Sequence, residues 1–179
     1  MKKPISDLRL EISDVRLGDL DAIAQHYAFE TASGVATFDT ARPPESYWHT
    51  KLRESQENLY PFLVARSQPS EAGPIVCGWA ALSRYDPKVA YARTAELSVY
   101  VLEAYQRRGI GRVLMKNMLG MVKQHPTIHT LVSRIVTTQR ASIALHESLG
   151  FIHVGTLKAV GFKLGAMRDV AIYQLDTEF

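Results

Sequence analysis

The sequence predicts an α/β fold in a single domain, residues 1–179, with about six or seven strands and about four helices. Three observations carry this expectation. Segments with the two-residue period of strands alternate with segments that carry the i, i+3, i+4 stripe of helices. No repeat, low-complexity block or Pro/Gly/Ser-rich linker divides the chain. Finally, 179 residues that are 46% hydrophobic suffice for one core.

The elements follow in order. Leu8, Leu10, Ile12 and Asp14 space a first strand. Asp19 is placed to cap a helix whose Leu20, Ile23, Ala24, Tyr27 and Ala28 form an apolar stripe. Residues 34–44 read as loop, and Pro44 suits the opening of a second helix through Trp48 and Leu52. Residues 62–65 and 75–82 are strand-like, and the turn-forming run at 67–73 suits a hairpin between them. Residues 85–88, with Pro87, read as loop. Residues 96–101 alternate Leu97, Val99 and Val101 with Ser98 and Tyr100, the pattern of a half-buried strand. A helix follows, with Leu114, Met118, Met121 and Val122 on one face. Residues 130–136 form a strand, and 142–149 a short helix stopped by Gly150. Residues 151–157 and 170–175 close the sheet.

Composition narrows the function. A net charge of +3, with basic residues scattered rather than striped, argues against a nucleic-acid partner. The single Cys77 allows no internal disulfide and, in a strand-like run, reads as a buried, inert thiol. The start, MKKPISDLRL, carries no apolar leader core, and no run reaches the ~18 apolar residues of a membrane span. A cytoplasmic protein is expected. No His, Cys and carboxylate cluster has metal-ligand spacing, so no metal is expected.

The chemistry concentrates in ELSVYVLEAYQRRGIGR, residues 96–112. A strand feeds a polar turn, and the turn feeds a helix through Gln106, Arg107, Arg108, Gly109, Ile110, Gly111 and Arg112. Glycines at a helix start let backbone N–H groups approach a ligand, and the helix dipole favours an anion there. Three arginines add forked donors for phosphate oxygens. No Gly-Lys-Ser/Thr closes a P-loop, and Leu114 stands where a dinucleotide fingerprint needs Gly or Ala. Taken alone, the motif also fits an ordinary helix start beside exposed arginines.

The motif resembles the acetyl-CoA loop of the GNAT superfamily of N-acetyltransferases. TAELSVYV at 94–101, ASIALHESLGF at 141–151 and VGFKLG at 160–165 follow the order and spacing of its phosphinothricin acetyltransferase branch. That branch includes enzymes acting on methionine sulfone and methionine sulfoximine. HYAFETASGVATFDT, at 26–40, is similar to the segment that walls the branch's substrate pocket. The resemblance runs from about residue 8 to 175. It implies the GNAT fold, a mixed and mostly antiparallel twisted sheet, with acetyl-CoA as cosubstrate and a small-molecule amine as acceptor.

Site residues follow from the resemblance. The backbone of Val99, Tyr100 and Val101 would hold the pantetheine arm, and one strand N–H would stabilise the oxyanion. Residues 106–112 would take the pyrophosphate, with Gln139 and Ser142 as further cofactor contacts. Phe38, Asp86, Lys88, Tyr91, Leu97 and Ser98 would meet the amine substrate, Lys88 facing an acidic group. Gln139 stands where the branch commonly has Asn, and Met167 where it commonly has Trp. Both departures bear on the cofactor contact and the pocket shape. The segment VGFKLG, expected as a loop between the last strands with Phe162 beside two glycines, would support a homodimer.

Acetyl transfer to an amine requires removal of a proton. Glu96, just before the apolar run of its strand, is the candidate base, acting directly or through a water. Desolvation there would raise its pKa toward working pH. A strand-end carboxylate paired with Arg93 or Lys88 is the plainer alternative. His146, on the short helix, suits a general acid or a group that orients substrate. The other histidines read as surface or packing residues. Two other functions stay open: acetylation of protein N-termini or lysines, which needs an open groove, and a non-catalytic CoA-binding module.

Overall fold

Runs of β-branched, aromatic and small apolar residues build seven strands. They are β1 (Leu10–Asp14), β2 (Phe62–Ser67), β3 (Ile75–Arg84), β4 (Thr94–Val101), β5 (Thr130–Val136), β6 (Ile152–Lys163) and β7 (Ala166–Asp176). The computed structural model of the chain describes residues 9–57, 59–67 and 74–177. Its strands form one sheet in the order β1-β2-β3-β4-β5-β7-β6. Every neighbouring pair is antiparallel except β4 and β5. Four helices complete the mixed fold: α1 (Leu20–Ser33), α2 (Glu45–Gln56), α3 (Ile110–Val122) and α4 (Arg140–Glu147). The parallel pair requires a crossover, which α3 supplies.

Both faces of the sheet are covered. One core packs Ile110, Leu114, Met115, Met118 and Val122 of α3 against Leu63, Ala80, Leu82, Leu97 and Leu131. The other packs Ile23 and Tyr27 of α1 and Trp48 and Leu52 of α2 against Phe62, Val64, Trp79 and Tyr100. Strand β4 therefore feeds two cores, which corrects its reading as half-buried. Tyr100 on its second face is only 9% exposed and stacks on Trp79, with ring centroids 4.2 Å apart. Cys77 is buried and free, and burial pushes its thiol pKa up.

Other expectations shift at their edges. Leu8 and residues 68–73 lie outside the described residues; the strands that flank 68–73 do pair antiparallel. Met121 is 37% exposed, because Ile110, Leu114, Met115, Met118 and Val122 fill the buried arc of α3 and leave it on the rim. Residues 160–163 are strand, not loop. β6 runs to Lys163, and a tight turn through Leu164 (φ 52°) and Gly165 (φ 72°) leads into β7.

Asp19 does not cap α1. Its backbone is already helical and its side chain makes no capping bond. Instead its carboxylate accepts the Arg16 N–H at 2.7 Å, a bond from Arg66 Nε at 2.8 Å and a further bond from Arg66 Nη2. The Arg66 side chain is 7% exposed, and without Asp19 its charge would sit buried with only the more distant, half-exposed Glu11 carboxylate nearby. Removing one partner of a buried pair typically costs about 3–5 kcal/mol. Asp19→Ala should therefore lower unfolding stability by about that amount in urea titration, and a change under about 1 kcal/mol would show that the pair carries little.

Candidate active site

Pairing between β4 and β5 stops early. Thr94, Ala95 and Glu96 face Thr130, Leu131 and Val132, and beyond that point the strands part. The Ser133 hydroxyl, 3.2 Å from Leu97 O, sits at the apex of the fork. From Ser98 on, the β5-facing edge of β4 has no strand partner among the described residues. Backbone groups on such an edge are donors and acceptors ready for an extended ligand.

The fork opens into a cavity of about 1070 Å³. At one end lies the start of α3. Gly109 caps that helix at φ 87°, a left-handed conformation that suits glycine, and Arg107 before it adopts φ 61°. Among the cavity's lining residues are Val99, Tyr100, Val101, Gln106, Arg107, Gly109, Ile110, Gly111, Arg112, Gln139 and Ser142. The first-turn amides of a helix lack intrahelical partners and point at whatever lies before it. A Cβ on Gly111 would come 3.1 Å from Leu145 Cδ2 and 3.6 Å from Val101 Cγ2, so the helix start sits close between β4 and α4. This end suits an anion.

Not every arginine of the motif reaches it. Arg108 is absent from the cavity wall, and its guanidinium lies over the Tyr105 ring, 5.5 Å from the centroid. Arg112 Nη2 donates to Ser148 Oγ at 2.9 Å, and Gln106 Nε2 donates to Val101 O at 3.1 Å, bracing the turn.

The other end of the cavity is lined by Phe38, Glu96, Leu97 and Ser98, joined by Tyr27, Glu30, Asp39, Tyr47 and Arg134. Glu96 pairs with neither Arg93 nor Lys88. Its Oε1 accepts Arg134 Nε at 2.7 Å and its Oε2 accepts Arg134 Nη2 at 2.5 Å. This bidentate bond raises the arginine's pKa. Phe38 is fixed by the loop that carries it. Lys163 Nζ, on a side chain buried at 3% exposure, donates to Glu30 O at 3.0 Å, Thr37 O at 2.5 Å and Asp39 O at 3.1 Å. Tyr27 Oη donates to Asp39 Oδ2 at 2.6 Å and lies 2.7 Å from Thr37 Oγ1.

Asp86, Lys88 and Tyr91 do not line the cavity. They stand on the β3–β4 connection, where Asp86 Oδ1 accepts the Lys88 N–H at 2.8 Å and Tyr91 packs edge-on to Tyr85. Residue pattern alone missed Arg134, Tyr27, Glu30, Tyr47 and Asp39. For Arg134 a signal existed, a single arginine inside the otherwise uncharged strand TLVSRIV.

His146 is 2% exposed and borders the cavity beside Ser133. Its Nδ1 lies 2.8 Å from Ser142 O, a carbonyl that can only accept, so Nδ1 carries the proton. Burial lowers its pKa, which keeps the ring neutral and leaves Nε2 as an acceptor for Ser133 Oγ at 3.1 Å. The one Ser133 hydroxyl proton thus has two acceptors within reach, His146 Nε2 and Leu97 O.

The family model of the acetyltransferase (GNAT) domain matches residues 12–172. A phosphinothricin N-acetyltransferase of Alcaligenes faecalis is 31% identical over 160 residues, covering 89% of this chain and 79% of that protein. An L-methionine sulfoximine/L-methionine sulfone acetyltransferase of Salmonella typhimurium is 34% identical over 119 residues, 66% of each chain. Among solved structures, a GNAT superfamily phosphinothricin acetyltransferase of Sinorhizobium meliloti, in complex with acetyl-CoA, matches with a TM-score of 0.83 at 29% identity. That match covers 93% of this chain and 88% of the other.

The buried, neutral His146 makes stability depend on pH. Its native pKa lies below the ordinary 6.5, so on acidification the unfolded chain takes up a proton first. This contribution to stability is complete above about pH 6.5 and declines as pH falls from there toward the lowered native value. In a melting series from about pH 7.5 to 5, the wild-type midpoint should fall more steeply than that of His146→Gln. Parallel curves would remove His146 as the source.

Proposed function

The chain belongs to the GNAT acetyltransferase family, and on that premise we propose that it acetylates the α-amino group of a small amino acid. The acceptor is of the phosphinothricin, methionine sulfone or methionine sulfoximine type, as in the relatives' names. Acetyl-CoA is the cosubstrate, and it supplies the acetyl group as a thioester. One observation carries the reading: a single cavity links the glycine-bounded start of α3 to Glu96 through the parted strands. The acceptor end of the cavity is bordered by Glu30, Phe38, Asp39 and Tyr47, from α1, α2 and the loop between them, which favours a small acceptor over a protein tail that would need an open groove.

The chain's residues divide the work. Amides of Ile110, Gly111 and Arg112, with the side chain of Arg107, hold the pyrophosphate at the helix start. Backbone groups of Val99 and Val101 face the free edge of β4 and bind the extended arm there, whereas those of Tyr100 face β3. Gln139 and Ser142, at the start of α4, border the same channel. Glu96 accepts the amine's proton, directly or through a water. Arg134 holds that carboxylate through a bidentate bond, in place of the expected apolar pocket. The neutral ring and its bond to Ser133 favour an orienting role for His146 over that of an acid. Phe38, Leu97 and Ser98 shape the acceptor end. Lys88, outside the cavity wall, has no support there for the role of meeting the acceptor's acidic group.

Residues 1–179 act as one catalytic domain in this proposal, supported by a single sheet that takes in every described strand. Among the described residues, no helix is long and apolar enough to cross a membrane and no metal-binding cluster occurs. A cytoplasmic, reducing setting suits the lone buried thiol. A homodimer is part of the same reading. Val160, Phe162, Leu164 and Met167 on the β6–β7 hairpin are 52%, 67%, 50% and 56% exposed, an apolar patch that a second copy would cover.

The function is tested by kcat/KM for methionine sulfone, methionine sulfoximine and phosphinothricin, compared with unmodified methionine and an N-terminal peptide. The three modified amino acids should exceed both, and a peptide favoured tenfold or more would replace this reading with protein acetylation. In the same assay Glu96→Gln should lower kcat by roughly 10²–10⁴-fold at neutral pH with acetyl-CoA binding retained. A rate within a few-fold of wild type would remove Glu96 from the base role. Light scattering at micromolar concentration should give twice the chain mass of 20.0 kDa, and a monomer would refute the dimer.

A further inference from the structure

The single arginine of β5 stands in the acceptor end of the cavity. In the parallel register Glu96 lies beside Val132, so Arg134, two residues on, shares the sheet face of Glu96, Ser98 and Tyr100. Its Nε and Nη2 bind the two oxygens of Glu96, and both side chains line the cavity. The Arg134 side chain is 58% exposed and that of Glu96 only 17%. A guanidinium carries five N–H donors in a rigid plane, and the Glu96 fork uses two of them. The remaining donors belong to an open, cavity-lining side chain.

We infer that Arg134 reads the carboxylate of the acceptor amino acid, so that the Arg134–Glu96 pair recognises an amino-acid zwitterion. This deepens, and rests on, the reading of the acceptor as a small amino acid. The acceptor's ammonium goes to Glu96, and its carboxylate goes to the unused guanidinium donors. An α-amino acid carries these two charges on one carbon, and the ion pair presents the opposite two side by side.

The test uses methionine sulfone and the amine of the same skeleton that lacks the carboxyl group, with full-length wild type, Arg134→Gln and Arg134→Lys. The wild type should prefer the amino acid in kcat/KM by roughly tenfold to a hundredfold. Arg134→Gln should lower that ratio at least tenfold, mainly by raising KM for the amino acid. Comparing ratios between proteins cancels the difference in intrinsic amine reactivity. Arg134→Lys, which keeps a charge but loses the fork, should fall between them. Acetyl-CoA affinity by calorimetry should stay within about twofold, showing that the fold persists. Turnover of the amino acid with an unchanged ratio in Arg134→Gln would overturn the role of Arg134 and leave the acetyltransferase reading intact. Turnover of peptides but of no free amino acid would overturn the small-acceptor reading and this inference with it.

Discussion

The parting of β4 from β5 is the constraint on which the site depends. Three residue pairs hold the two parallel strands together, and after Glu96 and Val132 the ladder ends in the middle of a seven-stranded sheet. A sheet interior that leaves backbone donors and acceptors without strand partners is costly unless a ligand or water satisfies them. Here that cost is confined to one channel, whose apex is closed by Ser133 against Leu97 O. The crossover that must join parallel strands begins with α3, so the same topology puts a helix N-terminus at the mouth of the channel. An anion site and an extended-ligand site therefore come from a single feature of the sheet.

The walls of the acceptor end are held by packing and by buried polar groups. Tyr100 stacks on Trp79, and Tyr27 meets Trp48 edge-on at 5.2 Å, so α1, α2 and the sheet form one aromatic block. The loop that carries Phe38 hangs from this block by Tyr27 and from β6 by Lys163, a buried ammonium satisfied by three carbonyls. Gly161 of β6 completes the fit, because a Cβ there would stand 2.7 Å from the Phe38 ring. A loop anchored from two sides presents its aromatic residue in a fixed place, as an acceptor pocket requires.

Electrostatics at Glu96 differ in kind from the sequence expectation. A carboxylate in an apolar pocket is surrounded by groups that cannot bond to it, whereas one in a bidentate pair has both oxygens held by its partner's N–H donors. The structure has the second arrangement, with the partner on the neighbouring strand rather than in the nearby loop. His146 shows the reverse case. Burial lowers its pKa against the opposing hydrogen bond to Ser142 O, and its bonds to Ser142 and Ser133 tie α4 to the apex of the fork.

Much of this protein is legible in its sequence, because the signals are local. Alternation along 96–101, the glycines at 109 and 111 and the stripe of Leu114, Met118 and Val122 depend on near neighbours, and they specified a strand, a turn and a helix in register. The motif order then identified the family and the cosubstrate. What the sequence could not decide depends on which strands become neighbours. Arg134 and Glu96 are separated by 38 positions and meet only because β4 and β5 run side by side. Asp19 reads as a cap until β2 brings Arg66 beneath it, and Tyr100 lies on the face opposite Leu97, which becomes a second core only once α1 and α2 cover it. Lys88 looked suited to the acceptor from its place in the chain, but the β3–β4 connection carries it clear of the cavity. Local pattern fixes which way a side chain points from its own strand, and only the three-dimensional pairing of strands and helices determines what it meets there.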